Sequence, residues 1–211
     1  IIGQTIYDQT GRPAIQVLPV PMWNYDEFFN ELTYYNDFNR DQGGEVYTWD
    51  DFDTSNTECD VITESMKLNS GAANYYSSSN GLRNNSPGNI YNYLPSSNGY
   101  AFSQVEYMSD NTGRIRRQSG VGINHRLTGK DENDDEHLGK ETKYYYATPF
   151  QVQLDRLFGN EVGYYKHYKK NAIVDANGQI SISYLDAGGR VVATALAGDT
   201  TNTPNLTALT S

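Results

Sequence analysis

One turn signature constrains this chain more than any other feature: Asp-x-x-Gly-Arg, with a tyrosine shortly ahead of it, occurs three times in 211 residues. The copies are Tyr7 with Asp8, Gly11 and Arg12; Tyr107 with Asp110, Gly113 and Arg114; and Tyr184 with Asp186, Gly189 and Arg190. A fourth, Asp175-Ala176-Asn177-Gly178-Gln179, keeps the aspartate and glycine and replaces the arginine. An aspartate that opens a turn accepts hydrogen bonds from the amides after it, and a glycine three residues on takes the positive φ that closes a bulged hairpin. The frame at one site is an ordinary turn. Its recurrence implies a set of similar hairpins rather than one catalytic constellation.

The flanking residues agree with strands. Ile180, Ile182 and Tyr184 alternate with Ser181, Ser183 and Leu185, and Val191, Ala193 and Ala195 alternate with Val192, Thr194 and Leu196, the period of a pleated strand. Residues 171–198 therefore read as three successive antiparallel strands. The chain contains 18 tyrosines, its hydrophobic fraction is 37% and its mean hydropathy is −0.70. Tyrosine packs on a sheet while its hydroxyl stays wet, so the composition favours sheets with a solvated face. The expected fold is mainly β, built of antiparallel hairpins with one or two short helices and long irregular loops.

Four regions follow. Residues 1–21 carry the first hairpin, with a second strand over Ala14–Leu18 that Pro19 and Pro21 are expected to stop. Residues 22–100, rich in Asn, Ser, Asp, Tyr and Gly, read as a polar irregular insertion with a short helix at 24–34 capped by Asn24 and Glu27. Residues 101–198 return to strands, interrupted by a helix near 149–158 that starts at Pro149, carries Val152, Leu154, Leu157 and Phe158, and ends at Gly159. Residues 199–211 read as a linker to following sequence. The chain opens on Ile1 with no charged-then-apolar leader and no membrane-length apolar run, so it is expected to be an internal piece or processed product of a longer polypeptide. The single Cys59 excludes an internal disulfide framework.

Tyr7-Asp8-x-x-Gly11-Arg12-Pro13, Asp110-x-x-Gly113-Arg114-Ile115 and Ser183-Tyr184-Leu185-Asp186-x-x-Gly189-Arg190-Val191, together with Lys143–Tyr146 and Leu154–Gly163, resemble the YD-repeat (Rhs-type) family. The resemblance is to the part of very large bacterial Rhs proteins that precedes their dense repeats, over residues 1–20 and about 100–198. Such repeats usually recur about every twenty residues, whereas the glycines here are 102 and 76 positions apart. The resemblance implies a β-shell segment that encloses a toxin or effector cargo, with structural rather than catalytic residues. It implies as partners the remainder of the same long polypeptide, its cargo and secretion-system components. It also implies a secreted or cell-surface location, with export by a type IX system as in Bacteroidetes proteins of this type. The family's self-cleaving aspartyl-protease signature is not in this chain, and no catalytic residue carries over.

Asp131, Asn133 and Asp135 offer oxygen ligands at alternate positions like a calcium loop, but the expected sixth-position glycine is Glu136 and the twelfth-position glutamate is Thr142. A solvated acidic loop is the plainer reading, and no cofactor is expected. Tyr164–Lys170 interleaves bases and aromatics, but strand alternation would split them between two faces. A net charge of −10 opposes a phosphate backbone, so neither nucleic-acid binding nor membrane insertion is expected. Arg114–Arg117 reads as a strand whose charges pair with carboxylates. Cys59 sits among acids, His125, His137 and His167 stand apart, and no nucleophile elbow, zinc motif or phosphate loop occurs. Two functions from different classes remain: a non-catalytic shell segment, or an extracellular carbohydrate-binding or adhesion module. The second would use Trp49, Tyr75, Tyr76, Tyr91 and Tyr93, with Tyr34 and Tyr35, to stack on sugar rings.

Overall fold

In a computed structural model, which describes residues 1–21, 39–41, 43–52, 63–68, 71–84, 86–130, 136–137 and 139–197, the chain is mainly β and its paired strands run antiparallel. It divides into two compact units, residues 1–141 and 142–211.

The first unit begins with the hairpin of β1 (Ile2–Tyr7) and β2 (Pro13–Val20). Alternation in β1 buries Ile2 and Ile6, and Ile6 lies opposite Ile15 and Gln4 opposite Val17. The second strand does not stop at Pro19. It runs on to Val20 because the register with β1 slips between Gln4–Val17 and Ile2–Val20, and a proline at a bulge removes no ladder bond. Strand β3 (Phe102–Tyr107) pairs with β2 over Ile15–Val17, and β4 (Ile115–Gln118) pairs with β3. Two short strands, β5 (Gly129–Lys130) and β6 (Glu136–His137), form a separate ladder.

One face of this sheet is covered by the stretch between β2 and β3. Tyr47, Phe52, Met66, Ala72, Ala73 and Tyr100 join Ile6, Ile15, Val17, Val20 and Phe102 in one buried cluster. The helix α1 (Gly71–Tyr75) supplies both alanines, whose small side chains let its backbone lie close to β2. Phe52 stands edge-on to Phe102 at 5.0 Å. Much of the irregular region is thus tied into the core rather than appended to it. Asn39 and Tyr47 tie it to the sheet and to itself: Asn39 donates to Gln4 Oε1 (2.6 Å) and accepts from the Ala72 amide (3.0 Å), and Tyr47 Oη accepts from the Lys67 amide (2.7 Å). The helix expected at 24–34 lies outside the described residues, as do Tyr34, Tyr35, Cys59 and residues 199–211.

The second unit is a four-stranded meander of β7 (Thr142–Ala147), β8 (Lys169–Val174), β9 (Ile180–Leu185) and β10 (Val191–Ala197). The three strands expected over 171–198 are the last three of these. Register aligns Tyr145, Ala172, Ile182 and Ala195 on one face and Tyr144, Ile173, Ser181 and Leu196 on the other. Helix α2 (Gln151–Phe158) lies between β7 and β8. It begins two residues after Pro149 because the Phe150 amide donates to Gln153 Oε1 (3.1 Å), which caps the first turn there. Gly159, at φ 78°, ends it as expected. Of the apolar residues that the helix carries, Leu154 is buried, whereas Val152, Leu157 and Phe158 are exposed. Among the described residues of this unit only Pro149, Leu154 and Tyr184 are buried. A sheet normally covers at least one face with apolar packing. This one leaves both half open.

Candidate functional site

The recurring frame folds into one clamp, built the same way at three of its four positions. At the first, the Asp8 amide donates to Arg12 O (2.8 Å) and the Gly11 amide to Asp8 O (2.9 Å). Asp8 Oδ1 accepts from the amides of Thr10 and Arg12 (2.9 Å each) and from Thr10 Oγ1 (2.8 Å), while Oδ2 takes Arg12 Nε at 2.7 Å. At the third, Asp186 and Arg190 exchange the same backbone bond (2.9 Å), Arg190 N reaches Oδ1 (2.9 Å) and Arg190 Nε reaches Oδ2 (2.8 Å). At the fourth, Asp175 N donates to Gln179 O (3.0 Å), and Asp175 Oδ1 accepts from the amides of Asn177 and Gln179 (2.8 Å each). Gly11, Gly178 and Gly189 sit at φ 78°, 82° and 80°, a conformation that costs other L-residues about 1–2 kcal/mol. The aspartate and glycine therefore close the turn, and the arginine adds a guanidinium to a carboxylate already held by amides.

The second copy differs. Its hairpin closes from Met108 N to Arg114 O (2.8 Å), so the loop is two residues longer on its first strand, and Asn111 joins Gly113 at positive φ, 57° and 71°. Asp110 Oδ1 accepts from Thr112 N (3.0 Å) and Thr112 Oγ1 (2.6 Å), and Oδ2 pairs with Arg114 at 2.5 Å. The tyrosines of the signature do not share one setting either. Tyr7 is exposed, Tyr184 is buried with Lys170 Nζ 5.9 Å from its ring, and Tyr107 donates its hydroxyl to Pro13 O (2.9 Å) beneath the Arg12 guanidinium, 4.3 Å from its ring centre. The first clamp is thereby tied to β3.

The clamps set the carboxylate charge. Burial pushes the Asp8 carboxyl up, but hydrogen bonds from the Arg12 amide, the Thr10 hydroxyl, the Arg12 guanidinium and the Thr10 amide outweigh it, and its pKa falls below the ordinary aspartate value. The Thr112 hydroxyl, and after it the Arg114 guanidinium, bring Asp110 to about 2. The Arg190 amide and guanidinium lower Asp186.

Arg114–Arg117 forms pairs as its pattern implied, with a buried centre that the pattern did not reveal. Arg117 is buried and holds Glu106 by Nε and Nη2 at 2.6 Å each, donates Nη1 to Thr128 O (2.6 Å) and lies 3.5 Å from Glu141, while Arg116 reaches Glu106 at 3.6 Å. A bidentate pair with further hydrogen bonds offsets the desolvation of the buried charge. Glu106 and Glu141 come from β3 and from the residue before β7, too far along the chain for spacing to connect them.

Of the aromatic residues read as sugar platforms, Tyr75, Tyr76 and Tyr91 come into ring contact, and their packing takes them into the fold. Trp49, Tyr75 and Tyr76 pack against the core cluster. Tyr75 meets Tyr76 edge-on at 4.9 Å and Tyr91 at 6.4 Å, and Tyr76 Oη donates to Pro19 O (2.6 Å). Tyr93 is 79% exposed in a 3-10 turn over Ile90–Tyr93. Tyr164–Lys170 is not a continuous strand: Tyr165–His167 forms a 3-10 turn, the Tyr164 ring lies 4.6 Å from Tyr165 and 6.4 Å from His167, and β8 begins only at Lys169. The calcium-like residues Asp131, Asn133 and Asp135 lie outside the described residues. Among the described residues, no group of three or more His, Cys, Asp or Glu side chains is placed to hold a metal ion, and no helix is long and apolar enough to cross a membrane. No protein-family model, curated protein or solved structure matches this chain.

Proposed function

We propose that the chain is a non-catalytic structural segment of a large YD-repeat (Rhs-type) protein, secreted or displayed at the cell surface, whose β-shell encloses a toxin or effector cargo. The observation that carries this reading is the repeated clamp: the same hydrogen bonds recur at Asp8, Asp175 and Asp186 in hairpins of both units. One turn built three times serves a sheet assembled from similar hairpins better than it serves a reaction centre, which needs one constellation of unlike groups. The sheet of residues 142–197 adds support, because with both faces half open it gains most from neighbouring layers or strands. In this reading the clamp residues set turns and do no chemistry, and the segment's partners are the rest of its own polypeptide and the cargo. The carbohydrate-module reading that uses Trp49, Tyr75 and Tyr76 is less favoured, since those rings are engaged in packing.

Native and denaturing mass spectrometry of material from producing cells tests the proposal. Residues 1–211 recovered within a longer chain, or holding a second polypeptide, are the expected result. A free, monodisperse species of 23.7 kDa would overturn it.

A further inference from the structure

Arg12 makes two contacts at once. Its Nε closes the clamp on Asp8 Oδ2 at 2.7 Å, and its guanidinium lies 4.3 Å from the centre of the Tyr107 ring, whose hydroxyl donates to Pro13 O (2.9 Å). One tyrosine of β3 thus ties the clamped turn to the strand beside β2, through a cation–π contact and a hydrogen bond. Arg190 is built in the same way. It bonds Asp186 Oδ2 through Nε at 2.8 Å, and it precedes Val191 at the head of β10 as Arg12 precedes Pro13 at the head of β2. Both hairpins then slip register by one residue, from Tyr7–Pro13 to Ile6–Ile15 and from Leu185–Val191 to Tyr184–Ala193. The Asp175 hairpin, with Gln179 in place of arginine, runs evenly from Val174–Ile180 to Ile173–Ser181. Arg190 O takes the Asp186 amide (2.9 Å), and carbonyls alternate in direction along a strand, so Val191 O points over the outer edge of β10. The two arginines differ in cover: the Arg190 side chain is 86% exposed and that of Arg12 28%, and no aromatic ring of the described residues lies over Arg190.

We propose that the head of β10 is a docking site for a tyrosine-bearing β-strand, which adds to the β10 edge with its tyrosine ring on the Arg190 guanidinium and its hydroxyl on Val191 O. The source of that strand, the remainder of the same polypeptide, rests on the shell reading; the site itself stands on residues 186–197. Charge selects the occupant. An exposed cation beside an outward carbonyl matches a phenol, whose ring face is negative and whose O–H donates. A phenylalanine would satisfy the cation alone, and a carboxylate would meet Asp186 beside Arg190. Farther along the strand, half-exposed Ala193, Ala195 and Ala197 lie opposite Tyr184, Ile182 and Ile180, and their small side chains leave room on that face for larger residues of the added strand. Main-chain pairing supplies the affinity and the tyrosine fixes the register.

The test is NMR of the 211-residue chain titrated with a capped peptide of residues 101–108, the β3 sequence that makes this contact with β2. Shifts are expected along Val191–Ala197, with a ring-current shift at the Arg190 Nε–H. A peptide with Tyr107→Phe should bind about fivefold more weakly, the net worth of one hydrogen bond, and one with Tyr107→Ala should show no saturable binding. Arg190→Gln in the protein should weaken binding about threefold, the size of an exposed cation–π contact. The Asp175 turn, closed with Gln179, shows that such a hairpin forms without the arginine. Absence of shifts, shifts confined to other strands, or equal binding of the tyrosine and alanine peptides would overturn the proposal. So would concentration-dependent shifts along β10 without peptide, which would give the edge to a second copy. The peptide reports on the site whatever chain length the mass measurement finds, so the shell reading can fail while this result stands.

Discussion

The Asp8 carboxylate accepts four hydrogen bonds, all from Thr10 and Arg12, and is the most enclosed of the clamp aspartates. Asp8→Ala should therefore lower the unfolding free energy by about 2 kcal/mol in urea titrations, because a hydrogen bond to a charged group contributes about 1.5–3 kcal/mol. Asp186→Ala, at an exposed turn, should cost less. The clamps also have a pH signature. Each lowered carboxyl contributes stability that is complete above the ordinary aspartate pKa of 3.8 and is lost as pH falls through the folded value. For Asp110 that window runs from about 3.8 down to about 2. Carboxyl-carbon NMR should find Asp8, Asp110 and Asp186 titrating below the ordinary range, and a normal titration at all three would contradict the clamp geometry. Gly139 makes a different kind of demand. A Cβ there would lie 1.8 Å from Arg126 O, while its amide and carbonyl both bond Thr128 Oγ1 (3.1 and 3.2 Å). Gly139→Ala should cost about 3 kcal/mol by the same titration, as overpacking with a backbone shift does.

At the scale of elements, legibility followed locality. The hairpins at Asp8, Asp175 and Asp186 could be read directly, because the aspartate, the glycine and the amides they bind lie within five residues. The extension of β2 through Pro19 could not, because the bulge that tolerates proline is set by register with β1. Nor could the core contribution of Tyr47, Phe52, Met66 and Ala72, which follow no period of 2 or 3.6 and meet β2 and β3 only through the fold. Burial likewise separates the residues of the second sheet. Tyr184 is 5% exposed and Leu196 75%, although both belong to alternating strands. Tyr184→Ala should cost about 3 kcal/mol, and Leu196→Ala less than about 0.5 kcal/mol. Thermal melts that rank the two variants in reverse would show that β10 is covered in solution.

The whole molecule combines repeated hairpins with unfinished surface. The first unit has a conventional packed core. The second presents β10, paired only with β9 among the described residues and carrying exposed Val191, Val192 and Leu196. An open edge with apolar residues is a liability that proteins cover, close or blunt, and a shell would remove it by continuing the sheet. Electron cryomicroscopy of the polypeptide purified from producing cells addresses this most directly. The account predicts density for a further strand hydrogen-bonded along Val191–Ala197, in a wall that curves around a second body of protein. A particle in which β10 borders solvent and the sheet encloses nothing would contradict it.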